Sequence, residues 1–226
     1  LKDLLVELVM TDHFRSSSVS QVSDLQTIEL AEIGTGKLLT PEQLNQKLNS
    51  VMGFEWSYGH GDALDSVYGL IYGGIDSIGI TERATELTTL MSTVVTTMAN
   101  ETACSITNLD FTRQQEDRFL FPFVELASTP INASVAIRSN IQFLHKQLLG
   151  ELLELNSTEV DASYALFTEV WNARHSGNKP SAVSSETELC IFENVPNAIQ
   201  SDPNQTLRTW SVVINYLMRD YHFIHE

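Results

Sequence analysis

The sequence predicts an all-α fold: a multi-helix bundle around one long amphipathic central helix, interrupted by one long irregular connection. Three observations carry this expectation. Apolar residues recur at intervals of three and four through most of the chain. Helix-start signals at 40–43 (Thr-Pro-Glu-Gln), 129–130 (Thr-Pro) and 202–205 (Asp-Pro-Asn-Gln) each stand just before such a run. Alternating strand patterns are nearly absent, and Glu-Leu-Cys-Ile-Phe at 188–192 is the one short candidate. With 226 residues, 42% of them hydrophobic, the chain is long enough to bury a substantial core and is read as a single domain spanning 1–226.

The elements follow in order. Leu1, Leu4, Leu5, Leu8 and Val9 share one helix face, and a serine-rich break comes after them. Val22, Leu25, Ile28 and Ile33 mark a weaker helix that ends at Gly34 and Gly36. Thr40 is expected at the N-cap of the next helix, with Pro41 at N1 and Gln43 completing a capping box. Its stripe is Leu44, Leu48 and Val51, and Gly53 ends it. An aromatic loop, Phe-Glu-Trp-Ser-Tyr-Gly-His-Gly-Asp, leads into a helix over about 62–72.

From Thr81 the pattern runs unbroken for about 26 residues, roughly 39 Å of helix at 1.5 Å per residue. Its stripe is Ala84, Leu87, Met91, Val94 and Met98. Hydroxyl residues such as Thr89, Ser92, Thr93 and Thr96 occupy the other side. That side lacks the Glu and Lys of a solvated face, so cover by other layers is expected. Around Pro122 two short pieces are expected. Thr129-Pro130 opens a helix with the stripe Ala133, Ile137, Ile141, Leu144 and Leu148, stopped near Gly150. Asn156 with Glu159 opens another, carrying Val160, Tyr164, Phe167 and Trp171. Residues 172–201 form the irregular connection. Asp202 caps the last helix, whose core residues are Trp210, Val213, Ile214 and Leu217.

Charge excludes several partners. Thirteen Lys+Arg against 29 Asp+Glu give −16, with no basic cluster for phosphates, so neither nucleic acid nor an anionic membrane surface is an expected partner. No apolar run reaches 18 residues, so no membrane span is expected. The chain opens at Leu1 directly on a helical pattern, which reads as a processed protein or a piece of a longer one. The P-loop, dinucleotide, nucleophile-elbow and EF-hand templates are all missing.

Three groups of residues could carry chemistry. The stretch Tyr-Gly-Leu-Ile-Tyr-Gly-Gly-Ile-Asp at 68–76 places two glycines where one helix stops. Asp76 and Arg83 are expected to pair, buried in the corner under Tyr72, with Gly73 or Gly74 at positive φ. The pair would pin two helices, or with Tyr72 would bind a small polar ligand. His60, Asp62 and Asp65 are the candidate metal ligands, although zinc signatures place their ligands one helical turn apart and this set does not. The plainer reading is Asp62 as an N-cap beside an exposed histidine. His145 reads as a hydrogen-bonded residue at a helix edge. Cys104 and Cys190 belong to no Cys-x-x-Cys run, which excludes a zinc ribbon and covalent haem. They read either as two buried thiols or as one long-range disulfide to the irregular connection. The disulfide is the reading adopted, since such a connection lacks apolar anchors.

Three stretches together carry a resemblance: Leu-Leu-Thr-Pro-Glu-Gln-Leu at 38–44, the run 68–104, and Leu-Arg-Thr-Trp-Ser-Val-Val at 207–213 continuing to Glu226. They resemble a region of large, uncharacterised exported proteins of marine and planctomycete-type bacteria that often carry cytochrome c modules elsewhere in the chain. The resemblance implies a periplasmic or extracytoplasmic setting and further domains in a longer chain, and it supplies no catalytic residues. A second comparison, with imelysin-like periplasmic helical domains, rests on Gly59-His60-Gly61-Asp62. The Gly-x-His-x-x-Glu motif of that family is not met, because Asp62 and Ala63 follow Gly61. The expected function is a non-catalytic binding or interaction module whose partner is a protein or a small polar ligand, with no cofactor. The rival is a metal-binding protein or metal-dependent hydrolase, with a divalent ion held by His60, Asp62 and Asp65.

Overall fold

Thr40 caps the first described helix, as the sequence predicts. In this computed structural model its hydroxyl accepts from the Gln43 amide at 3.3 Å, and the Gln43 side chain accepts from the Thr40 amide at 2.9 Å. The structure describes Met10 and residues 36–76, 78–176, 199 and 201–225. The chain groups into two compact units, Leu1–Lys37 and Leu38–Glu226. Among the described residues, all helices and strands belong to the second unit. The two helices expected before Gly36, the 188–192 strand candidate and nearly all of the irregular connection lie outside the described residues.

The second unit is mostly helical, with one small hairpin. Helix α1, Pro41–Lys47, continues as a π-helical turn, Leu48–Met52, and stops at Gly53 with φ 63°. The wider turn rotates the stripe, so Met52 is fully buried where Val51 is expected. The aromatic loop is a tight antiparallel hairpin, β1 (Ser57–Tyr58) and β2 (Gly61–Asp62). Tyr68 packs on both Trp56 and Tyr58 beside it.

The helix expected over 62–72 is only α2, Val67–Ile71. Asp62 sits in β2 and is not a helix cap; its carboxylate accepts from the Leu64 amide at 2.8 Å, which spends its capping capacity on a turn.

The long helix α3 is Thr89–Thr112, about 36 Å at 1.5 Å per residue. It begins eight residues later than expected and continues past the expected end. Thr88, and not Thr81, is its cap: its hydroxyl accepts from the Met91 amide, and the Met91 sulfur lies 3.3 Å from the Thr88 amide. Met91, Val94 and Met98 are buried as expected, whereas Ala84 and Leu87 precede the helix and are exposed. The hydroxyl side is also open. Thr89, Ser92 and Thr93 are exposed, and Ser92 and Thr93 donate back to the carbonyls four residues earlier. Satisfying hydroxyls within the helix removes the need for a covering layer.

Asp110, fully buried near the end of α3, organises the next segment. It accepts from the amides of Phe119, Leu120 and Phe121 and pairs with Arg113 at 2.9 Å. Apart from one 3₁₀ turn at Gln115–Asp117, the Pro122 region is irregular, with its amides held by side chains. Helix α4 starts at Ser134 and not at Thr129, because Asn132 accepts from both the amide and the hydroxyl of Thr129 and closes a turn. It runs Ser134–Leu144, continues as a π-helical turn, His145–Leu149, and stops at Gly150 with φ 72°.

Helix α5 is Thr158–His175, capped by Ser157 and not by Asn156. Helix α6 is Thr206–Met218. Asp202 serves it from four residues before its start, accepting from the Thr206 and Arg208 amides. Helices α3 and α5 both pack on α6, and α4 packs on α5. Trp210 of α6 lies in the core against Phe121 and Phe167, at ring distances of 5.2 and 4.6 Å. A last 3₁₀ turn, Tyr221–Ile224, returns the chain to the beginning of the second unit. There the Leu39 amide donates to the Ile224 carbonyl at 2.8 Å, and Leu38 bridges His225.

Candidate functional site

The corner between α2 and α3 is built by its glycines. Gly73 takes φ 95°, as expected at the helix stop, and a Cβ there would come within 2.7 Å of Ala84 Cβ. A Cβ on Gly74 would meet the Gly69 carbonyl oxygen at 2.8 Å. This close approach turns the chain back over α2. The Gly73 carbonyl then accepts from the Ala84 amide, joining both sides of the loop.

Asp76 does not pair with Arg83. Its Oδ1 accepts from the amides of Ile78, Gly79 and Ile80 at 2.8–2.9 Å, and its own amide donates to the Ile80 carbonyl. These donors hold its carboxyl below the usual carboxylate range, although the side chain is exposed. Arg83 instead forms a two-pronged pair with Glu42 of α1, at 2.6 and 2.9 Å. That guanidinium draws the Glu42 carboxyl down to about 2 and raises the arginine in turn. The expected buried pair fails because the loop amides occupy Asp76, and Arg83 pairs with Glu42 instead. Tyr72 is fully buried, with its hydroxyl unpartnered and raised by burial. Tyr72, Asp76 and Arg83 therefore face three different surroundings.

Among its charged and hydroxyl residues, this corner exposes many apolar side chains. Among the described residues, 17 large hydrophobic residues are exposed, and eight of them lie between Val67 and Leu90. Val67, Leu70 and Ile71 form the outer side of α2, while Gly69 and Tyr72 face inward. Ile75, Ile78 and Ile80 flank and tip the loop closed by Asp76, and Ile78 is 92% exposed. Leu87 and Leu90 follow at the start of α3. Helical spacing alone places Leu87 in the core and misses this surface. The available signal is an isoleucine at every second or third position of 75–80, inside a loop too short to bury them.

The candidate metal ligands do not assemble. His60 and Asp65 are exposed, Asp62 is engaged with its turn, and among the described residues no group of three His, Cys, Asp or Glu side chains is placed to hold an ion. Cys104 lies half-buried in α3, and its expected partner Cys190 lies outside the described residues.

A second constellation has catalytic residue types. His145, in the π turn of α4, contacts Glu151 through Nδ1 at 2.7 Å and Ser163 of α5 through Nε2 at 2.9 Å. Carboxylate, imidazole and hydroxyl in this order are the parts of a nucleophilic relay. Ser163, however, is 1% exposed and His145 4%. The neighbouring depression of about 510 Å³ is lined by Gln142, Lys146, Glu151 and Leu153 but not by Ser163. No substrate carbonyl reaches the hydroxyl in this conformation. The network ties α4 to α5. The sequence marks His145 as hydrogen-bonded but gives no cue to Ser163, which lies 18 residues away on another helix. Compared with known proteins, the chain matches no protein-family model, no curated protein and no solved structure.

Proposed function

We propose that this is a non-catalytic interaction module of an exported bacterial protein, in which α3 is the central helix and the surface from Val67 to Leu90 meets a partner protein. One observation carries the reading: apolar side chains are concentrated on a corner whose backbone is fixed by Gly73, Gly74 and Asp76. Contiguous exposed apolar surface on a folded protein marks interaction sites. The exported setting rests on the resemblance in sequence, and it calls for a bridge between Cys104 and Cys190. Thiol titration of the denatured, unreduced protein should then find no free sulfhydryl.

The test of the module compares wild type with an Ile78→Ser/Leu90→Ser variant as bait in extracts of the native source. Both side chains are exposed, so the variant should melt at an unchanged temperature. A partner recovered by wild type and lost with the variant supports the reading. Identical recoveries would sink it.

A further inference from the structure

Resting on that reading, we propose that the partner is a protein segment of basic amphipathic character, which seats an apolar stripe on the corner while its Lys and Arg side chains reach the surrounding carboxylates. The charge pattern points this way. Between Lys47 and Arg113 the chain carries eight acidic residues and one basic residue, Arg83. Arg83 is already engaged by Glu42. Asp65, Asp76, Glu82 and Glu86 are all exposed in the same stretch as the apolar side chains. An acidic apolar segment, or a second copy bringing the same carboxylates, would set like charges face to face. A basic segment meets both properties of the surface at once.

The loop makes Ile78 the anchor of this contact. Three amides on the Asp76 carboxylate, with the return bond to Ile80, fix Ile78, Gly79 and Ile80 against Asp76. An apolar tip fixed before binding loses little conformational freedom when it enters a partner's groove. This gives Asp76 a positioning role: it shapes the loop and need not touch the partner. Helical segments with apolar residues at i, i+3, i+4 and i+7 present an apolar stripe whose side-chain ridges leave shallow grooves for such a tip, and carry charge on their other faces.

Two synthetic helical peptides of equal length test the proposal, one built of Leu and Lys and the other of Leu and Glu. Each is titrated with the whole chain and followed by fluorescence anisotropy, in about 0.15 M and about 0.5 M salt, concentrations that bracket strong screening. The Leu/Lys peptide should bind at least about tenfold more tightly, and added salt should weaken it. Ile78→Ser should reduce its affinity about tenfold, and Glu82→Gln/Glu86→Gln severalfold. Asp76→Ala should weaken binding with the exposed Ile78 still present.

Three outcomes overturn the proposal. Equal or tighter binding of the Leu/Glu peptide, lost with Ile78→Ser, would remove the charge inference and leave the interaction module standing. A dimer in solution that Ile78→Ser disperses would assign the surface to a second copy. Failure of both peptides to bind would remove the basic-segment proposal and leave the module reading to its own bait comparison.

Discussion

Arg83 and Glu42 make a short, two-pronged contact, yet the arginine side chain is 38% exposed and the carboxylate 58%. Water and salt screen such a pair, so it contributes far less than a buried one. Arg83→Ala should therefore lower stability only slightly at neutral pH. The Glu42 carboxyl is depressed from 4.5 to about 2, so its contribution is complete above 4.5 and is lost as pH falls toward 2. Urea melts of wild type and variant should converge across that window; a gap that persists at the acid end would contradict the pairing. Lys47 also stabilises more as pH rises, but in an alkaline window and because burial disfavours its charged form. Its ammonium donates to the Phe223 carbonyl at 2.6 Å and lies over the Phe223 ring, and burial pulls it down from 10.5 to about 8. The unfolded chain keeps that proton longer, so this group's contribution to stability rises as pH climbs from about 8 toward 10.5. Melts of Lys47→Met should lack that rise, and an unchanged slope would remove Lys47 as its source.

At the scale of elements, helix caps decide where the sequence is legible. Thr40 is legible because cap, Pro41 and Gln43 stand together immediately before an apolar stripe. Thr81 misleads, since any threonine before a run that is apolar every third or fourth residue reads as a start. The true cap, Thr88, is hidden inside a string of threonines whose individual roles depend on geometry. Thr88→Ala should cost about 1 kcal/mol, with faster hydrogen exchange at the Met91 amide, its direct donor. Unaltered exchange there would move the helix start elsewhere. The π turns at Leu48–Met52 and His145–Leu149 are invisible in the sequence for a different reason. A 3.6-residue period contains no term for a wider turn, and the turn alone exchanges Val51 for Met52 in the core. The closed Asp76 loop is illegible too, because a single carboxylate serves three consecutive amides only once the backbone has already curled around it.

For the whole molecule, the helical class and most core residues of α1, α4, α5 and α6 are readable from spacing, whereas α3 buries Val95, Ala99, Ala103, Ile106 and Phe111 beyond the stripe its spacing names. Pairings across helices are not readable in this way. His145 with Ser163, and Trp210 with Phe121 and Phe167, depend on which helices meet, and a one-dimensional pattern does not encode that. Net charge acts at this scale. A chain at −16 repels itself when compact, and the repulsion falls as the Debye length shortens from ~30 Å at 0.01 M salt to ~8 Å at 0.15 M. Its melting temperature should therefore rise over that range of sodium chloride. A flat response would mean that the charges are already far enough apart to ignore one another.

The bond from Leu39 to Ile224, with Lys47 donating to Phe223, has a topological consequence. The second unit enters and leaves at one point, so it is nearly a ring whose seam is closed by hydrogen bonds and not by a peptide link. Such a ring can be spliced into the loop of a host protein while disturbing the host by little more than the width of a hairpin. It can also be cut elsewhere. Joining residue 225 to residue 38 through a short linker, and opening new ends beside the 83%-exposed Leu152, should yield a circular permutant that folds to the same helical content by circular dichroism.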